Sequence, residues 1–161
     1  MLKRVFCLII IAALAALGLA ACAGSDGYKA LDREKALAAV EKLGVFPAAM
    51  QPDDAMLESV YGLDVSLIKD RLIGVPLMNV HASMYWLLLA EDEDAAAALD
   101  IQMEAYFKSY QELWDSYLPE QAKLVRERLK ARYETEEGVW LLYIISSDNE
   151  AVRQAVEGAL E

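Results

Sequence analysis

The sequence Tyr-Glu-Thr-Glu-Glu-Gly-Val-Trp-Leu-Leu-Tyr-Ile-Ile-Ser, residues 133–146, contains the clearest strand in the chain. Every residue from Val139 to Ile145 is apolar or aromatic, which predicts a central strand of a sheet. Gly138 and the two glutamates before it predict the turn of a hairpin. Residues 147–150, Ser-Asp-Asn-Glu, match a capping box in which the Ser caps the helix, so a helix is expected directly after the hairpin.

A second hairpin is predicted upstream, from strands over 67–74 and 79–89 with the turn formers Gly74, Pro76 and Asn79 between them. The predicted helices lie outside the two hairpins. They span 32–43, 53–61, about 92–117, a segment from Pro119 that buries Leu129, and a segment after residue 147. This order predicts an α+β fold in which an antiparallel sheet of about four strands carries helices packed on one face.

The helix predicted over 92–117 carries a line of aromatic residues. One buried stripe is expected from residues that recur at steps of three or four, namely Leu99, Met103, Tyr106, Tyr110, Leu113 and Tyr117. Aromatic side chains at this spacing usually pack in the core. Exposed aromatic rings would instead be suited to stacking on sugar rings. Trp114 departs from the stripe and is expected to be the exposed aromatic residue of this helix.

The composition limits the classes of function. The length of 161 residues fits one domain with a short appendage. The chain has 15 basic and 26 acidic residues, a formal net charge of −11, whereas a nucleic-acid-binding protein presents a basic face. Two cysteines cannot form a disulfide framework, and a single histidine excludes a His-rich metal site. We therefore expect no nucleic-acid partner, no metal and no cofactor.

The N-terminus has the pattern of a secretory signal. Two basic residues precede an uncharged run over 5–21, and residues 19–22, Leu-Ala-Ala-Cys, match a bacterial lipobox. The alternative is an uncleaved transmembrane anchor, because a run of 17 residues is at the short end of what spans a bilayer. We expect a lipoprotein signal peptide over 1–21, lipidation of Cys22, a lipidated tether over 22–31 and a single α+β domain over 32–161.

Several motifs follow one another in an order typical of one family. They are Tyr-Gly-Leu-Asp at 61–64, Met-Asn-Val-His-Ala at 78–82 and Trp-Asp-Ser-Tyr-Leu-Pro-Glu-Gln at 114–121. Gly138 and the apolar strand that leads into 146–148 complete the pattern. The segment 56–161 thereby resembles a family of bacterial lipoproteins described as domain of unknown function 4358. The resemblance implies an architecture and a compartment, and it implies no activity.

No catalytic set is recognisable in the sequence. His81 is the only histidine, so a Ser-His-Asp set would have to include it, yet the chain contains no Gly-x-Ser-x-Gly motif. This favours a strand histidine that is hydrogen-bonded or solvated. Residues 91–94, Glu-Asp-Glu-Asp, lack the alternating ligands and the glycine of a calcium loop, and acidic residues are typical of a helix start. We predict no catalytic residue, no metal ligand and no enzyme activity.

The predicted function is that of a lipid-anchored extracytoplasmic protein, a non-enzymatic binding or accessory module at the bacterial cell envelope. Its partners would be the membrane, through the lipid on Cys22, and an envelope protein or a cell-wall glycan. The candidate binding surface consists of Trp114, Asn79, His81 and Gln121, since residues at the ends of elements often bind ligands. The alternative is an envelope hydrolase or glycan-active enzyme whose site is built from scattered carboxylates.

Overall fold

The structure, a computed structural model, describes residues 28–78 and 80–161. The predicted signal peptide, the lipidation site Cys22, the tether up to residue 27 and the candidate residue Asn79 lie outside the described residues. The helices are α1 (Arg33–Lys42), α2 (Asp54–Ser59), α3 (Glu93–Tyr117), α4 (Pro119–Arg126) and α5 (Asn149–Glu157). The strands are β1 (Ala49–Met50), β2 (Asp70–Pro76), β3 (Met84–Ala90), β4 (Leu129–Thr135) and β5 (Gly138–Ile145), and a 3-10 helix spans Val65–Leu67.

The strands form one five-stranded antiparallel sheet in the order β1-β2-β3-β5-β4. The α+β class and the antiparallel sheet are confirmed, but the predicted number of about four strands is too low. The additional strand is β1, whose two residues pair with Val75 and Pro76 at the edge of β2. A strand of two residues leaves no alternating pattern in the sequence, so periodicity cannot reveal it.

Helices cover both faces of the sheet, so the prediction that they pack on one face is wrong. Side chains of β5 alternate between the two faces and are buried on both. Leu141 and Tyr143 belong to a core formed with α2, α3 and α4, whereas Trp140 and Leu142 belong to a core formed with α1 and α5. Because neither face meets solvent, no polar side chain interrupts the run from Val139 to Ile145.

The strands of the first hairpin begin later than predicted. β2 begins at Asp70 because the preceding residues are used in the 3-10 helix, where the Asp64 carboxylate accepts hydrogen bonds from the backbone N–H and the hydroxyl of Ser66. β3 begins at Met84 because residues 77–83 form the connection from β2. The hairpin therefore has a long connection rather than a tight turn, and this connection is important for the candidate site.

Two details near the C-terminus also differ from the predictions. Leu129 is the first residue of β4 and not part of a helix, because α4 ends at Arg126. The helix after the last strand begins as predicted, but its N-cap is Asp148, whose carboxylate accepts a hydrogen bond from the Ala151 N–H. The predicted tight hairpin between β4 and β5 is confirmed.

Helix α3 is longer than the strands on which it packs. Its 25 residues extend roughly 37 Å, whereas the seven residues of β3 extend roughly 23 Å. Leu99 and Met103 are buried as predicted, and the buried stripe continues through Phe107. Leu113 and Tyr117 were also expected in the stripe but are 60% and 59% exposed. The last turns of α3 extend past the end of the sheet. A side chain on the core-facing side of the helix is therefore exposed to solvent in these turns.

A polar cluster fixes the first half of α3 to the sheet. The Tyr143 hydroxyl donates a hydrogen bond to the Asp100 carboxylate at 2.5 Å, and the Lys130 ammonium forms an ion pair with the same carboxylate. Burial by itself raises the pKa of Asp100, but the hydrogen bonds from Lys130 and Tyr143 outweigh it and hold that pKa below its ordinary value of 3.8. The cluster therefore stabilises the contact between helix and sheet only while the carboxyl group is ionised.

Candidate functional site

A groove of about 700 Å³ lies where α3 extends past the sheet, and we call it the aromatic groove. One wall is the second half of α3, the other is the β2–β3 connection, and Tyr61 after α2 closes one side. Its lining consists of Tyr61, Val75, Pro76, Leu77, Met78, His81, Met84, Tyr106, Tyr110, Leu113, Trp114 and Tyr117. No Asp, Glu, Lys or Arg is among these residues, so the groove is uncharged apart from any charge on His81.

The β2–β3 connection is fixed to the helices at Ala82. The Ala82 N–H donates a hydrogen bond to the Gln121 Oε1 at 2.8 Å, and the Tyr110 hydroxyl donates a longer one to the Ala82 carbonyl at 3.4 Å. Ala82 is fully buried, so these side chains satisfy a backbone that has no strand partner at this position. Gln121 lies in the first turn of α4, which begins at Pro119, a favoured residue at that position.

Aromatic rings build the floor of the groove. The Tyr106 ring lies 5.1 Å from Tyr61 and 5.4 Å from Tyr110 between centroids, edge-on to the first and stacked on the second. Burial raises the pKa of Tyr106 and raises that of Tyr110 to about 12. The two phenol groups therefore stay neutral at any physiological pH and offer hydroxyl groups but no charge.

Most of the exposed large apolar side chains of the described chain lie around the groove, and we call this set its rim. Nine large apolar side chains are exposed in the described residues, and six of them line the groove or are next in sequence to a lining residue, namely Val60, Leu77, Met78, Val80, Leu113 and Tyr117. Single exposed apolar residues are common on protein surfaces, but a contiguous group typically marks an interaction surface.

The described residues of the predicted binding surface differ in exposure and in their position relative to the groove. Trp114 is only 3% exposed, so the prediction that it is the exposed aromatic residue is wrong. It lines the floor of the groove because α4 turns back against this part of α3, and its indole N–H finds no hydrogen-bond partner in the described chain. His81 is half-buried and lines the groove, whereas Gln121 supports the groove from behind.

Sequence reasoning missed the residues that form the exposed rim. The sequence pattern places Leu113 and Tyr117 in the core, and it gives no signal that Leu77 and Met78 are part of a binding surface. The lengths of the predicted elements contained the necessary information, because a helix over 92–117 is too long for strands of seven to eleven residues. A comparison of these lengths would have placed the last turns of the helix outside the sheet.

The described residues do not form a recognisable catalytic or metal-binding set. No hydrogen bond joins the His81 side chain to a carboxylate in 28–78 or 80–161, and no three His, Cys, Asp or Glu residues within these ranges are placed to hold a metal ion. Asp92 is the N-cap of α3 and accepts a hydrogen bond from the Ala95 N–H at 2.9 Å, so the acidic run over 91–94 forms a helix start. None of the described helices is long and apolar enough to cross a membrane.

A comparison with protein families gives one match. The family model described as a domain of unknown function (DUF4358) matches residues 44–146 of the 161. This range contains every residue that lines the aromatic groove, together with Gln121. No curated protein and no solved structure matches the chain.

Proposed function

The chain belongs to the family of the domain of unknown function DUF4358, and we propose that it is a non-enzymatic binding module whose aromatic groove receives an apolar segment of a partner protein. The observation that carries this proposal is the combination of an uncharged, aromatic lining with an exposed apolar rim. Covering such a rim stabilises a complex by about 25 cal/mol for each Å² of apolar surface removed from water.

The chemistry of the groove favours an uncharged apolar group. A charged group in this site would lose its hydration and find no side chain of opposite charge, which costs several kcal/mol or more. Met78 and Met84 add flexible side chains that adapt to the shape of a bound group. The aliphatic rim residues favour a protein partner over a glycan, because sugar hydroxyls would be left without hydrogen-bond partners against Leu77 and Leu113.

The enzyme alternative has less support. A hydrolase or glycan-active enzyme built from carboxylates needs two acids that face each other across a cleft. The lining of the aromatic groove contains neither Asp nor Glu. A binding role needs only the shape and the apolar surface that these residues provide.

We also propose that the module works outside the cytoplasmic membrane, held there by a lipid on Cys22. The support is the N-terminal sequence, in which two basic residues, an uncharged run and the Leu-Ala-Ala-Cys motif follow in the order of a lipoprotein signal. Two or more acyl chains anchor a protein stably without a basic patch. A lipid anchor of this kind is therefore compatible with the acidic composition of the chain. A Cys22→Ala variant is expected to lose the membrane fraction, and its retention there at the mature mass would contradict this assignment.

Site-specific photocrosslinking in the producing cells tests the binding role. Benzoylphenylalanine is introduced at Leu113 or at Tyr117 on the rim, and at Ile101 as the control. Ile101 is on the same helix and is 72% exposed, but it does not line the groove. We expect one recurrent protein adduct from the two rim positions and none from Ile101. The same adducts from all three positions, or no adduct from either rim position, would contradict a binding role for the groove.

A further inference from the structure

A second cavity lies beside the core that α1 forms with the sheet, and we call it the Tyr85 cavity. It has a volume of about 330 Å³ and is formed by α1, the segment 46–51 and the adjacent parts of β2 and β3. Leu37 and Val40 of α1 form one wall, and Met50 of β1 lies in the other. This cavity is independent of the function proposed above.

Tyr85 places a hydroxyl group in this cavity. The residue is only 5% exposed, yet its hydroxyl makes no hydrogen bond within the described part of the chain. Gly74 is paired with Tyr85 across the two strands, and a Cβ at Gly74 would lie 2.3 Å from the tyrosine ring and 2.8 Å from its oxygen. The phenol therefore lies over the glycine, where it reaches the cavity. The hydroxyl oxygen is open to the cavity, so a ligand there can contact both the oxygen and the ring.

Glu41 supplies the only charged side chain of the lining. Its carboxylate takes part in none of the ion pairs of the described residues. Burial, and then the negative charge of Glu41, raise the pKa of Tyr85, so the carboxylate lies within electrostatic reach of the phenol. A ligand in the cavity would therefore meet one negative charge and no positive charge.

Phe46 completes an aromatic corner. Its ring centroid lies 4.9 Å from that of Tyr85, and the two rings meet edge to face at 65°. Aromatic rings attract a cation that lies over their faces, and a nearby carboxylate adds to this attraction. From this arrangement of Phe46, Tyr85 and Glu41, we propose that the Tyr85 cavity binds an alkylammonium group.

Other ligand classes fit the cavity less well. An anion would be repelled by Glu41, and a neutral apolar ligand would desolvate that carboxylate without providing a counter-charge. The charge of an alkylammonium group attracts the carboxylate and makes a cation–π contact with the rings. Its methylene or methyl groups pack against the apolar walls. The same chemistry is found in a free amine or quaternary ammonium compound and in the lysine side chain of a protein.

Methyl NMR of the full chain with ¹³C-labelled methionine methyl groups tests the proposal. Met50 lines the cavity and reports binding there, whereas Met103 is fully buried, does not line the cavity and serves as the internal control. The probes are choline, N-acetyl-lysine methylamide and 3,3-dimethylbutan-1-ol, which has the shape of choline without its charge. We expect both cations to shift the Met50 resonance saturably, with choline at least about tenfold tighter than the neutral alcohol.

Variants connect the binding to the proposed groups. Glu41→Gln should weaken the binding of both cations about tenfold and leave the binding of the alcohol unchanged, while Glu34→Gln on the same helix should change neither. Tyr85→Phe keeps the ring and removes a hydroxyl that makes no hydrogen bond, so the affinity for choline should stay within about twofold and the melting temperature should stay the same. The same melting temperature for every variant establishes that binding, and not folding, has changed.

The relative affinities identify the source of the ammonium group. Tighter binding of the lysine derivative would indicate a lysine side chain of a protein, and tighter binding of choline would indicate a quaternary ammonium compound. Equal affinity for choline and the neutral alcohol would overturn the proposal, as would cation binding that is unchanged in Glu41→Gln. The absence of any Met50 shift with either cation would overturn it as well.

Discussion

The hydrogen bond between Gln121 and Ala82 is the contact on which the shape of the aromatic groove depends. It fixes the β2–β3 connection, one wall of the groove, to the start of α4. Replacement Gln121→Ala removes the acceptor and leaves the buried Ala82 N–H without a partner. Such a loss costs about 1–3 kcal/mol, because the N–H group cannot exchange its lost bond for one to water.

Thermal unfolding and hydrogen exchange measure this cost. For a chain of this length, 1 kcal/mol shifts the melting temperature by about 2–4 °C, so a loss of about 2 kcal/mol predicts a fall of roughly 4–8 °C in Gln121→Ala. The Ala82 amide should also exchange faster with solvent. Gln121→Glu is the matched control, because a carboxylate oxygen can accept the same hydrogen bond and should keep the Ala82 amide protected.

The two measurements together can refute the reasoning. Suppose that the Ala82 amide exchanges at the same rate in Gln121→Ala and in the unchanged protein, and that the two melting temperatures agree within about 1 °C. The hydrogen bond then does not hold the connection in place. If the melting temperature falls but the Ala82 amide stays protected, Gln121 stabilises the helix pair and not the groove wall. Only faster Ala82 exchange that Gln121→Glu prevents agrees with the role assigned here.

Three further predictions concern the core. Gly138→Ala should cost at least about 2 kcal/mol in urea unfolding, because Gly138 has φ +139° and a Cβ there would lie 2.1 Å from the Ala90 carbonyl oxygen. Gly44→Ala, with φ +65° and open space around it, should cost less. Trp140→Phe should change stability by less than about 1 kcal/mol, because the loss of packing is offset by removal of a buried indole N–H that has no partner. Asp100→Asn should destabilise the protein at pH 7, and the difference should shrink as the pH falls below about 4, because a lowered pKa contributes stability only while the carboxyl is ionised. A difference that stays constant down to pH 3 would contradict that origin.

The sequence was sufficient for the fold class and the order of the longer elements, and insufficient for β1 and the layer arrangement. The run from Val139 to Ile145 identified β5 because it is short, rich in β-branched and aromatic residues, and preceded by Gly138. The same run also indicated two covered faces, since a strand with one solvated face alternates with polar residues. The prediction of helices on one face disagreed with this pattern, and the structure follows the pattern.

The candidate site was only partly predictable, for geometric reasons. Helical periodicity gives the angular position of Leu113, Trp114 and Tyr117 around the helix, but exposure also depends on what lies opposite each turn. The sheet ends before Leu113, and α4 returns over Trp114. The Tyr85 cavity was beyond sequence reasoning, because it depends on the pairing of Gly74 with Tyr85 and on the approach of Glu41 from a separate helix.

The aromatic groove lies far from Tyr28, the first described residue. Tyr28 pairs with Thr135 beside the β4–β5 turn, at the end of the sheet where β3 finishes, whereas the groove lies where β3 begins at Met84. The sheet separates these two ends by roughly 23 Å. A lipid on Cys22 would attach the domain through Tyr28, so the proposed attachment and the proposed binding site would use opposite ends of the sheet.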